Sequence, residues 1–137
     1  MLKIEELDCW DLTWFAYDNE GRLAVFFSNG TNAVLTDHIL KERNYELAFD
    51  YFDNLNANSR TIIDNEGLEN IDDFVLYAQK GLLVYDMEDL TQSHYILKVK
   101  PVKPLTVNDI NKEIYKIIEK YDGVFSSVVK ITPSESS

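Results

Sequence analysis

Two short aromatic and β-branched runs, residues 13–17 and 22–27, flank a four-residue turn signal, Asp18-Asn19-Glu20-Gly21. The glycine that ends the turn can adopt the positive φ that tight turns require, so this stretch predicts a β-hairpin. Side chains alternate across a strand, and both Trp14 and Phe15 are bulky. The first strand is therefore expected to be covered on both faces, which demands further elements on each side of it.

The longest predicted helix has Thr36 or Asp37 as its cap and extends to about Leu55. Apolar residues recur at helical spacing along its core-facing stripe: Leu40, Leu47, Ala48, Tyr51, Phe52 and Leu55. The opposite stripe is acidic and contains one aromatic residue: Glu42, Glu46, Phe49, Asp50 and Asp53. An aromatic side chain among carboxylates is either covered by a neighbouring loop or anchors a protein partner, and the pattern allows both interpretations.

Two further helices are predicted, one capped by Asn70 and ended by Gly81, and one that begins at Thr106. Asp109 lies three residues after Thr106, which is a weak form of the capping box. The inward residues are Ile71, Phe74, Val75 and Ala78 in one helix, and Ile110, Ile114, Ile117, Ile118 and Tyr121 in the other. Lys112, Lys116 and Lys120 are expected on the outside of the last helix.

Residues 82–85 and 95–99 predict a pair of strands, and residues 124–131 predict a last strand. His94, Lys98 and Lys100 alternate with apolar residues, so the strand around them is expected to be half-buried. The predicted order is β-β-α-α-β-β-α-β, in which helices and strands do not alternate regularly. This order predicts an α+β fold, with three helices and a mainly antiparallel sheet of about five strands. Residues 1–131 are expected to form a single domain, and residues 132–137 a flexible tail.

The net charge of −11 is confined to one half of the chain. Residues 1–73 contain 16 acidic and 5 basic residues, whereas residues 74–137 contain eight of each. One strongly negative surface is therefore expected, which attracts basic partners and repels nucleic acid and anionic membranes. The acidic start shows no secretory signal, and the single cysteine, Cys9, cannot form an internal disulfide, so a cytoplasmic location is expected.

Residues that could bind metals or carry catalysis are scattered. His38, His94 and Cys9 lie far apart in sequence and match no metal-binding motif, so neither a metal nor a cofactor is expected. Carboxylates on both sides of Cys9 would raise the pKa of its thiol and disfavour a reactive thiolate. Two sets of neighbouring acids are candidates for acid–base chemistry: Asp50 with Asp53, and Asp86 with Glu88 and Asp89. Acids at this spacing on a helix usually belong to a solvated face.

Three stretches carry a resemblance to a known group: Trp14-Phe15-Ala16-Tyr17-Asp18-Asn19-Glu20-Gly21-Arg22-Leu23-Ala24-Val25-Phe26, Gly81-Leu82-Leu83-Val84-Tyr85-Asp86, and Tyr95-Ile96-Leu97-Lys98-Val99-Lys100-Pro101-Val102-Lys103-Pro104-Leu105. In this order, over roughly residues 12–121, the chain resembles small bacterial proteins related to the immunity proteins of polymorphic toxin systems. The resemblance implies a protein that binds and neutralises a toxin made by its own cell. The shared motifs are structural and assign no functional residue.

The leading hypothesis is a non-catalytic acidic binding domain, an immunity protein that neutralises a basic toxin as a monomer or weak homodimer. Its expected contact residues are Glu42, Glu46, Phe49, Asp50 and Asp53, with Phe49 as the anchor. One alternative is a small hydrolase that uses Asp86, Glu88 or Asp50 as acid–base groups. Another is a regulatory or structural module that docks on a basic partner without any toxin.

Overall fold

The computed structural model of this chain describes residues 13–28, 42–56, 61–63, 72–87 and 94–131. The described elements are β1 (Thr13–Tyr17), β2 (Leu23–Phe27), α1 (Glu42–Asp53), β3 (Thr61–Ile63), α2 (Asp72–Gln79), β4 (Leu83–Met87), β5 (His94–Pro101), a 3₁₀ turn (Val107–Asp109), α3 (Lys112–Tyr115), β6 (Glu119–Lys120) and β7 (Val128–Lys130). The α+β class and the presence of three helices are confirmed within these ranges. The predicted caps Thr36, Asp37 and Asn70 and the predicted tail lie outside the described residues.

The strands form one curled, mixed sheet. Six of them follow the order β3-β5-β4-β2-β1-β6, and β7 pairs with β5 on the same edge as β3. The β2–β4 and β1–β6 pairs are parallel, whereas the other pairs are antiparallel. The prediction of a mainly antiparallel sheet of about five strands is therefore wrong in these details. The connection from β2 to β4 contains α1, β3 and α2, and a connection of that length allows parallel pairing.

The first hairpin lies inside the sheet and is covered on both faces, as predicted. Trp14 joins a cluster with five buried aromatic side chains on one face, and Phe15 joins the cluster that contains the helix residues on the other. On the aromatic face, the Phe26 ring stacks between Trp14 and Tyr85, with ring centroids 4.4 and 5.0 Å apart. The Trp14 Nε1–H donates a hydrogen bond to the Tyr95 hydroxyl over 3.2 Å. Three adjacent strands are thus joined by one aromatic stack.

The predicted third helix is broken into three short elements. The Asp109 carboxylate accepts hydrogen bonds from the Thr106 N–H and O–H at 2.9 and 3.1 Å, as the capping-box prediction expects. The turn then stops, and the Asn111 side chain caps the one-turn α3. Ile114 and Ile118 still reach the core, but the chain becomes extended at Glu119. Its backbone is paired with β1 there, so sheet pairing replaces the continued helix.

The strand β5 is less open than its alternating pattern predicts. Lys98 is buried, which contradicts its expected place on a solvated face. The reason is tertiary: β4 pairs along one edge of β5, β3 and β7 pair along the other, and α2 packs against the strand. Period-two alternation in the sequence does not reveal these neighbours.

Candidate functional site

The helix α1, which contains all five predicted contact residues, packs on β1 through two buried side chains. Ala48 and Phe52 point into the cluster beneath the helices, and the Phe52 ring stacks on Phe15 with centroids 4.4 Å apart. Tyr45 is partly buried one turn earlier, and a hydrogen bond links its hydroxyl to the backbone of Thr13. Burial raises the pKa of Tyr45, and the hydrogen bond opposes part of that rise.

The C-terminal end of α1 is held by residues from other elements. The Lys80 ammonium donates to the carbonyl oxygens of Phe52 and Asp53 at 3.0 and 2.6 Å. The last turn of α1 contains no basic residue, so Lys80 supplies the positive charge that helix C-termini favour. The Tyr51 hydroxyl accepts a hydrogen bond from the Asn111 N–H at 3.2 Å. The helix is therefore fixed along much of its length.

The outward stripe of α1 combines acidic groups with one apolar side chain. Glu46, Asp50 and Asp53 are exposed, as predicted. Leu47 is 43% exposed and borders these acids, so the prediction that Leu47 faces the core is wrong. Arg43 is also exposed at the start of the stripe. The exposed surface of α1 is thus acidic with an aliphatic side chain within it.

Phe49 occupies a different position from the one that an exposed anchor requires. It is partly buried and packs against the core cluster beneath the helices, and its ring centroid lies 6.2 Å from that of Tyr45. Phe49 therefore belongs mainly to the packing of α1, which corrects its expected place at the centre of the acidic face. Glu42 is the first residue of α1, and its side chain lies outside the described part. The predicted binding role of these residues remains a prediction.

The other candidate residues are dispersed. Asp50 lies on α1, Asp86 is partly buried on β4, and His94 is partly buried at the start of β5. The remaining candidates fall outside the described residues: Cys9, His38, Glu88 and Asp89. Within the described ranges, no group of three or more His, Cys, Asp or Glu residues could hold a metal ion. In the same part of the chain, no helix combines the length and the apolar composition needed to cross a bilayer.

Sequence reasoning missed a polar site at the tip of the β1–β2 hairpin. The Asp18 side chain is buried, and its carboxylate accepts hydrogen bonds from the backbone N–H groups of Glu20, Arg22 and Phe125 at 3.0, 2.9 and 2.9 Å. An aspartate at the start of a turn is the available sequence signal, because this side chain commonly bonds to N–H groups two residues ahead. The contact with Phe125, 107 residues later, has no local signal.

Comparisons with known proteins add no assignment, since no protein-family model, no curated protein and no solved structure matches this chain. The described geometry defines an α+β domain with two surface features: the acidic stripe of α1 and the polar hairpin tip. Both are polar surfaces built on well-packed elements.

Proposed function

We propose that this chain is a non-catalytic protein-binding domain that docks on a basic partner through the outward stripe of α1. The partner is a toxin domain, and the chain neutralises it as an immunity protein in the bacterial cytoplasm. The observation that carries the proposal is the exposure of Glu46, Asp50 and Asp53 on one helix face, with the exposed Leu47 beside them. The resemblance of three sequence stretches to immunity proteins supports the same function.

The two kinds of side chain in this stripe have different roles. Exposed carboxylates act mainly on the rate of association, because opposite charges steer an encounter and can raise the rate constant to about 10⁸–10⁹ M⁻¹s⁻¹ at low salt. Leu47 supplies apolar area that loses water when a partner covers it. Anchors of this kind contribute most when surrounding polar residues exclude solvent. Leu47 therefore replaces Phe49 as the proposed anchor, while Phe49 supports the helix from below.

The support beneath α1 favours binding without rearrangement. Tyr45, Tyr51 and Lys80 connect the helix to β1, to the segment before α3 and to the end of α2. A surface that is already ordered avoids the entropy cost of ordering it on association. The same fixed helix presents its exposed carboxylates to the partner together.

The test begins with the genes beside this chain in its source genome, where a gene that ends in a toxin domain is expected, and the absence of such a gene would contradict the immunity assignment. The affinity of the chain for that purified domain is then measured by titration calorimetry. Leu47→Ala is expected to weaken binding about tenfold, which is the scale of an interface residue near a hot spot. The matched control is Leu76→Ala, because Leu76 on α2 is 44% exposed and Leu47 is 43% exposed. Equal affinities of the two variants for the toxin domain would show that Leu47 is not part of the interface.

A second comparison tests the charges. The triple variant Glu46→Gln, Asp50→Asn, Asp53→Asn should associate more slowly at low salt and show a flatter salt dependence. Glu113→Gln combined with Asp122→Asn removes two exposed carboxylates elsewhere and is expected to associate like the unaltered chain. If the association rate constant falls equally in both variants, association depends only on the net charge, and the carboxylates of α1 are not specifically involved.

Phe49→Ala separates the two possible roles of the aromatic residue. Because Phe49 packs against the core, this variant should lower the free energy of unfolding while a folded fraction retains its affinity. Loss of affinity without loss of stability would restore Phe49 as the anchor.

A complex that forms but leaves the toxin active would point to a docking module and contradict the immunity assignment.

A further inference from the structure

A cavity of about 290 Å³ lies at the tip of the β1–β2 hairpin, against the 3₁₀ turn, α3 and β6. Six of its lining residues matter for its chemistry: Tyr17, Asp18, Asn19, Glu20, Tyr115 and Lys120. The volume is close to the lower end of the range for small-molecule sites, about 300 Å³, and suits a ligand with one ring. The cavity belongs to none of the surfaces used in the proposed function.

The wall of the cavity is held in place by hydrogen bonds on both sides of the hairpin tip. The Asn19 N–H donates to the Gly123 carbonyl at 2.8 Å, and the Val107 N–H donates to the Gly21 carbonyl at 2.8 Å. Asp18 is fully buried beneath the tip and bonds to Phe125. The cavity is thus preformed, so a ligand would not have to order the loop around it.

Two tyrosines form an aromatic side of the cavity. The rings of Tyr17 and Tyr115 are perpendicular, with centroids 4.9 Å apart, and Tyr115 is exposed. Burial raises the pKa of the Tyr17 hydroxyl, and its interaction and hydrogen bond with Tyr115 raise it further, so Tyr17 keeps its proton at pH 7. One of the two O–H groups donates the hydrogen bond between the hydroxyls, so the other O–H can donate to a ligand.

The charged groups at the cavity are unequally satisfied. The Glu20 carboxylate lies 3.6 Å from the Arg22 Nε, whereas the Lys120 ammonium has no ion-pair partner among the described residues. The Asn19 side-chain amide can also donate. The Asp18 carboxylate also lines the cavity, but three backbone N–H groups and the Arg22 guanidinium already donate to its two oxygens. The free donors are therefore the Lys120 ammonium, the Asn19 amide and one tyrosine O–H, and such donors beside an aromatic side favour an anionic acceptor that carries a flat or apolar group.

We infer that this cavity binds a carboxylate attached to an aromatic or apolar group, with Lys120 and Asn19 bonding to the carboxylate and the Tyr17–Tyr115 pair contacting the remainder. The carboxylate can come from a small organic acid or from the C-terminus of a peptide chain. This site is independent of the α1 surface, so its failure would leave the proposed function unaffected.

The test is a titration of the full ¹⁵N-labelled chain by NMR with benzoate and with benzamide, which has similar shape but no charge. Benzoate should give saturable shifts at residues around the cavity, and benzamide should bind at least about fivefold more weakly, as expected when a charged hydrogen bond is lost. Equal binding of the two compounds, or benzoate shifts located elsewhere, would overturn the inference.

Two lysine variants provide the matched comparison. Lys120→Met should weaken benzoate binding about fivefold, whereas Lys116→Met, which removes another exposed lysine outside the cavity, should leave it unchanged. Equal losses in both variants would show a general charge effect and contradict a defined site. A short peptide ending in phenylalanine distinguishes the sources: tighter binding than benzoate assigns a chain end, and weaker binding assigns a small acid.

Discussion

The guanidinium of Arg22 donates two hydrogen bonds to one carboxylate oxygen of Asp18, from Nε at 3.1 Å and from Nη2 at 3.0 Å. The same Nη2 donates to the Phe125 carbonyl at 2.6 Å, and the Phe125 N–H donates back to Asp18 at 2.9 Å. This closed arrangement connects the first hairpin to the segment before the last strand. The carboxylate is buried, so water does not readily take its place as the acceptor for these donors.

Replacement of Asp18 is expected to destabilise the fold strongly. Asp18→Ala leaves three backbone N–H groups and the Arg22 guanidinium without their acceptor, so the free energy of unfolding should fall by about 2–4 kcal/mol. The loss is smaller than for a fully buried ion pair, because Arg22 is partly exposed and water can solvate its guanidinium. Urea denaturation measures it. The control is Glu20→Gln, an exposed neighbour whose loss should change stability by less than about 0.5 kcal/mol. Similar midpoints for both variants would contradict the structural role of Asp18.

Gly81 should resist substitution for two separate reasons. Its φ is +101°, and a Cβ there would lie 2.6 Å from the Leu105 Cγ. Gly81→Ala is expected to cost about 2–4 kcal/mol from backbone strain and overpacking together. The double variant with Leu105→Ala removes the Cγ and Cδ atoms of residue 105, which include the closest contact, so its loss should be smaller than the two single losses combined. Strict additivity would show that the side chain of Leu105 is not the obstacle.

Lys80 is expected to stabilise the end of α1. The Lys80 side chain is largely buried and donates two hydrogen bonds to α1 carbonyls, so Lys80→Met should lower the free energy of unfolding by about 1–3 kcal/mol. Amide exchange in the last turn of α1 should accelerate more than exchange in β4. Lys116→Met, at an exposed position, is the control and should change neither quantity. Uniform acceleration throughout the chain would argue against a local role.

The raised pKa of Tyr45 predicts a loss of stability in alkaline solution. An unfolded tyrosine ionises near pH 10, whereas folded Tyr45 holds its proton to higher pH because it is buried. Between the two pKa values the native state binds more protons, so stability falls as the pH rises through this window. Tyr45→Phe should show a shallower fall above about pH 10 in denaturation experiments. Parallel curves for the two proteins would exclude this contribution.

Features that depend on residues close together in sequence could be predicted, whereas features that depend on distant residues could not. The first hairpin could be predicted because its turn chemistry is local, and Gly21 adopts the positive φ that the pattern requires. The capping box at Thr106 is equally local and is present. The end of the last helix depends on the pairing of Glu119 with Ala16, more than 100 residues away. Nothing near Glu119 in sequence signals that partner.

The contact face of α1 illustrates a different obstacle. At about 100° per residue, Leu47 and Phe49 lie at similar angles on opposite sides of Ala48, at the two borders between the inward and outward faces. Periodicity therefore does not decide which of them is buried, and the assignment of Leu47 to the core and Phe49 to the acidic face is wrong for both. The structure buries part of Phe49 and exposes Leu47. Packing against neighbouring elements decides this rotation of the helix. The acidic residues between them could be predicted because their angles point well away from the core.

The central place of the β1–β2 hairpin has a consequence for how the chain is made. The hairpin leaves the ribosome before its sheet neighbours β4 and β6 and before Phe125, to which it is hydrogen-bonded, because all three follow it by more than 50 residues in the chain. Pairings between distant segments fold slowly, because a long loop must close before they form. A nascent chain that stops short of Phe125 therefore exposes an incomplete sheet, and its maturation depends on translation continuing to the last strand.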